Sequence, residues 1–164
     1  MLRLKSAGFG PTPGERSLAI AYLGVAIFGA VISFSVVNRL GGSNAVIRPL
    51  GGYDFWVIIS GALGAYGGLY LGRVWLGHPG MAGWLKALVA IPVISFIAAL
   101  IGGTFALPGH GTMFGPLALL TTLIGNPLLA LFWSCTILSA HYRFAIWREE
   151  RETIFKMPDV SRAY

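Results

Sequence analysis

Thr122, Asn126 and Ser134 are the residues whose type and spacing most suggest a mechanism, because with Ala118 and Ala130 they step by four along one helical face. His141 continues that face one register later. At membrane depth such a stripe could line a polar path, bind a lipid headgroup, or simply seat one helix against another. Pro127 follows Asn126 directly and removes a helical hydrogen bond, so the sequence predicts a kink that Asn126 repairs with its side chain.

Three histidines suggest a second chemistry, since facing imidazoles can ligate haem or a pigment. His78 and His141 are expected at one membrane face and His110 at the other. His78 lies in the turn His78-Pro79-Gly80 rather than on a helix, so the pairing has little support and no cofactor is expected. Cys135 is the single cysteine and sits in an apolar run, which leaves no paired spacing for a metal. No nucleophile elbow is present.

Ionisable groups inside a span mark proton relays and ion paths, because each costs at least ~2.5 kcal/mol to place there. The span interiors contain none. Glu15, Asp54, Glu149, Glu150, Glu152 and Asp159, the six acidic residues, fall at borders or in the tails. The expectation is a protein that is not an enzyme.

The elements carrying these residues follow from composition. Of 164 residues, 55% are apolar and 11% charged, and mean hydropathy is +0.72. Water-soluble domains carry about a quarter charged residues, so this composition excludes one. The formal charge of +6 does not indicate nucleic acid, because the twelve Lys and Arg residues flank apolar segments instead of forming a patch.

A spanning helix needs about 20 apolar residues. Four segments qualify, over about 18–38, 55–76, 85–107 and 115–142, and they predict an all-α, four-helix transmembrane bundle within residues 1–142. Pro116 is expected in the first turn of the last span, whose length calls for tilt or a kink. The first span is read as a retained signal anchor, since Val36-Val37-Asn38-Arg39 follows it where a cleavage site would carry small residues.

Basic residues set the orientation. Arg3, Lys5, Arg16, Arg73, Lys86, Arg143, Arg148, Arg151, Lys156 and Arg162 lie on one side, and Arg39 and Arg48 on the other. Ten against two predicts both termini in the cytoplasm and suits a bacterial inner membrane. Residues 143–164 are expected to form a cytoplasmic amphipathic helix with Phe144, Trp147, Ile154 and Phe155 on one face, ended by Pro158. That face would lie on the membrane surface or dock a partner.

Small residues recur where helices should meet. Ser60, Gly64, Gly68 and Gly72 form a ridge in the second span, and Ser95, Ala99 and Gly103 one in the third. These seams join helices within the chain or hold another subunit or a second copy. A faint internal repeat pairs Val31-Ile32-Ser33-Phe34 with Val93-Ile94-Ser95-Phe96, each followed by Gly-Gly.

The expected function is a non-enzymatic accessory, structural or assembly subunit of a larger membrane complex, with lipids and other membrane subunits as partners. The alternatives are a small oligomeric transporter or channel using the polar stripe, and a haem- or pigment-binding anchor.

Overall fold

The computed structural model describes residues 10–40 and 49–155, without the side chains of residues 40, 154 and 155. All regular structure among these residues is helical. The elements are α1 (Pro13–Leu40), α2 (Gly52–Gly72), a 3-10 turn (Arg73–Trp75), α3 (Gly80–Ala106), α4 (Gly111–Gly125) and α5 (Pro127–Phe155). Four segments are long and apolar enough to cross a membrane: α1, α2 with its 3-10 turn, α3 and α5.

Helix α1 starts at Pro13, five residues before the expected border, and its first turn explains why. The Thr12 hydroxyl accepts the Glu15 N–H at 3.2 Å, and the Glu15 carboxylate accepts the Thr12 N–H at 3.0 Å. This reciprocal capping box, with Pro13 at the first helical position, satisfies two donors that a helix start leaves open.

The expected fourth span, 115–142, is not one kinked helix. It divides at Asn126, whose backbone leaves the helical region at φ −142° and ψ 84°. Asn126 then opens α5, its Oδ1 accepting the Leu129 N–H at 3.3 Å and its carbonyl accepting the Ala130 N–H at 3.2 Å. Pro127 has no N–H to lose at a first helical position, so it starts α5 instead of bending a longer helix. Pro116 lies inside α4, which begins at Gly111. The fifteen residues of α4 extend about 22 Å, short of the ~30 Å hydrocarbon core.

The beginnings of α1 and α3 and the end of α5 lie at one end of the bundle, termed proximal, and residues 39, 53 and 106 at the distal end. Helices α1 and α2, α2 and α3, and α1 and α5 pack side by side. Helix α4 folds back from the distal end of α3, with Gly111 and Gly115 on Gly103 and Ala99, and reaches α1 at Arg39. Buried positions in α5, Leu129, Trp133, Ile137, Ala140 and Phe144, follow the three-to-four spacing of a single inward stripe. With Val25, Leu69, Leu76, Ala87 and Ile94 they form the core.

Residues 143–155 continue α5 without a break, so among the described residues the tail is not a separate surface helix; residues 156–164, with the expected stop at Pro158, lie outside them. Phe144, expected on a partner face, is 2% exposed and packs edge-on against Tyr22. Trp147 lies against the first turn of α1 at Gly14, beneath the Arg151 guanidinium. The side chains of Ile154 and Phe155, and residues 41–48 with the first Gly-Gly pair, lie outside the described residues.

Candidate functional site

The small-residue ridge of α2 faces α3 within the same chain. A methyl group built on Gly64 would sit 2.5 Å from the Ala98 carbonyl oxygen and 2.6 Å from the Gly102 nitrogen. On Gly68 it would sit 2.9 Å from both the Ala98 nitrogen and the Ile94 carbonyl, and Gly72 lies against the Ile94 side chain. Ser60 is fully buried in α2, and its hydroxyl has no hydrogen-bond partner, so it serves the packing by being small.

Helix α3 uses two neighbouring faces. Ala98 and Gly102 meet α2, while Ala99 and Gly103 meet Gly115 and Gly111 of α4. Ser95 does something the sequence reading missed. Its hydroxyl donates to the Ile91 carbonyl at 2.7 Å and accepts from the buried Trp133 indole N–H at 2.7 Å, tying α3 to α5. Its repeat counterpart Ser33 packs instead on Gly61 of α2, so the two segments are not used alike.

The polar stripe does not survive the break at Asn126. Thr122 is buried in α4, Asn126 is exposed between the helices, and the Ser134 hydroxyl donates back to the Ala130 carbonyl at 2.8 Å. Arg39 closes the C-terminal turn of α4, where its guanidinium donates to the Thr121 carbonyl at 3.1 Å and lies against Gly125. A cation there complements the negative end of the helix dipole.

His141 is 3% exposed, and its Nδ1 accepts the Gly77 N–H at 3.0 Å, which requires the other ring nitrogen to carry the proton in the neutral ring. Its ring packs 5.2 Å from that of Trp84. Gly77 has φ +76°, and a methyl group there would meet the Phe144 backbone at 2.8 Å, so the tight turn after α2 depends on glycine. His78 donates from Nε2 to the Val74 carbonyl at 2.9 Å. The His141 bond ties the α2–α3 turn to α5 and the His78 bond closes that turn on itself, so both rings are used in holding the turn. His110 is exposed at the start of α4, remote in the fold from both. Among the described residues, no three His, Cys, Asp or Glu side chains gather where a metal could bind.

At the proximal end, the Glu150 carboxylate accepts the Gly14 N–H at 2.5 Å. A carboxylate at a helix start satisfies an open donor and opposes the positive end of the dipole. Glu150 was expected only as a polar tail position; nothing local in the sequence links it to Gly14, 136 residues away.

In the distal half, α1, α2, α3 and α4 surround a cleft of about 370 Å³ that the sequence reading did not foresee. Gly29, Ile32 and Val36 line it from α1, Val57 and Gly61 from α2, Ala99 and Gly102 from α3, and Phe114, Ala118 and Leu119 from α4. Trp133 of α5 also lines it, and Tyr53, Asp54, Ala106 and Leu107 border it at the distal end. The glycines that bring the helix backbones together leave this space unfilled.

No protein-family model matches the chain, and no curated protein or solved structure is similar enough to lend it a function.

Proposed function

We propose that this chain is a non-enzymatic accessory or assembly subunit of a larger membrane complex, which it contacts through its proximal end. The observation that carries the reading is the joining there of the end of α5 to the start of α1, which makes a stub of two paired helix ends. Helix α5 has 29 residues and extends about 43 Å, some 13 Å more than the hydrocarbon core needs. The Glu150 contact to Gly14 and the packing of Trp147 hold its end to the start of α1. Glu149, Arg151 and Glu152 remain exposed on this stub. A helix pair fixed in this way offers a preorganised polar surface to a partner.

The interior supports the same reading by what its polar groups do. Ser95, Ser134, Asn126 and His141 each bond to a neighbouring helix, a turn or their own backbone. This arrangement gives a transport path along α4 and α5 less support than a structural role. The excess of basic residues, ten against two, places the proximal end in the cytoplasm in this reading, and a bacterial inner membrane suits it.

The test is photo-cross-linking from positions 149 and 152 in the native membrane. Adducts to a second membrane or cytoplasmic protein are expected, and reversing the neighbouring charge (Glu149→Lys or Glu152→Lys) should weaken them. An inserted chain that gives no protein adduct from either position would refute this assignment of the contact surface.

A further inference from the structure

We propose that the distal cleft holds one hydrocarbon tail of a membrane lipid, with the headgroup at the distal rim beside Tyr53 and Leu107. The inference goes beyond the subunit reading and does not depend on it. Its volume of about 370 Å³ falls in the range of small-ligand sites, ~300–1,000 Å³.

The chemistry of the walls selects the occupant. They are mostly glycine, alanine and branched aliphatic side chains. The polar groups that reach them have partners: the Trp133 indole donates to Ser95, the Tyr53 hydroxyl donates to the Ala106 carbonyl at 3.2 Å, and the Asp54 carboxylate at the distal rim accepts the Gly51 N–H at 2.8 Å. Ser33 packs on Gly61. A peptide segment would bring backbone N–H and C=O groups needing partners, and water would need two to four polar neighbours. A hydrocarbon tail needs neither. It also replaces the dispersion contacts that so many small side chains leave unmade, and the bilayer supplies such tails at high concentration.

The test uses the full chain in phosphatidylcholine vesicles whose lipids are either plain or brominated midway along one acyl chain. The Trp133 component of the emission is the difference between the native chain and Trp133→Phe. Trp133 lies in the wall of the cleft and is 2% exposed in total, so a brominated tail within the cleft is the nearest lipid to it and should quench that component. Filling the cleft from α4 with Ala118→Phe, or from α2 with Val57→Phe, should restore it, while circular dichroism reports that each variant keeps its helices. The proposal is overturned by an unquenched Trp133 in the native chain, or by equal quenching in the native chain and a folded filled variant, which would assign the effect to bulk lipid. Quenching by a brominated free fatty acid without quenching by the phospholipid would overturn the assignment to a membrane lipid.

Discussion

Replacing Gly64 with alanine should loosen the bundle by about 1–3 kcal/mol, the usual cost of forcing an extra carbon into a packed interface. The new methyl would meet the Ala98 carbonyl at 2.5 Å and the Gly102 nitrogen at 2.6 Å, where ordinary contact begins near 3.4 Å. Both atoms belong to backbone and cannot rotate away, so α2 and α3 must separate by up to about 0.9 Å or tilt. Gly24→Ala in α1 is the reference, because nothing lies within 4 Å of a methyl group there. Alanine favours helix over glycine by about 1 kcal/mol at either position, so that gain cancels in the comparison. The assay is unfolding in mixed micelles of mild detergent and dodecyl sulfate, followed by tryptophan emission. Equal stability of Gly64→Ala and Gly24→Ala would refute the backbone contact between α2 and α3.

Asn126→Ala should destabilise the start of α5 by about 1 kcal/mol, while Asn126→Ser, which keeps a capping oxygen, should recover most of it in the same unfolding assay. Ser95→Ala leaves the buried Trp133 N–H without its acceptor and should cost about 1–3 kcal/mol, with a shift in Trp133 emission. His141→Phe deprives the Gly77 N–H of its acceptor at a similar cost, and protease cleavage at the α2–α3 turn should become faster. Glu150→Ala should free the end of α5 from α1, read as increased hydrogen exchange at Gly14 and its neighbours, with the core unchanged.

Much of the fold was legible because the solvent is simple. Uninterrupted apolar length marked the first three spans and the apolar start of α5, and the four-residue recurrence of Gly64, Gly68 and Gly72 marked a helix seam. Two local signals were present, one of them unread and the other read as a kink. Thr12-Pro13-Gly14-Glu15 has the pattern of a capping box, and Gly125-Asn126-Pro127 has that of a helix end, an N-cap and a first-turn proline. Reading Pro127 as a kink merged two helices and created a polar stripe that the structure divides. Other features depend on distant residues meeting. Ser95 with Trp133, Arg39 with Thr121 and Glu150 with Gly14 are each set by the packing of whole helices, which no local pattern announces. The cleft is likewise a property of four helices together. Phe144 illustrates the converse: an aromatic position in an apparently amphipathic tail is core once α5 runs on past His141 and packs on Tyr22.

The subunit reading is tested most directly by the mass of the particle that carries this chain when its own membrane is dissolved in a mild detergent. The account predicts comigration with a much larger species that contains other proteins in fixed proportion. A particle holding this chain alone, as a monomer or a homo-oligomer, would contradict it.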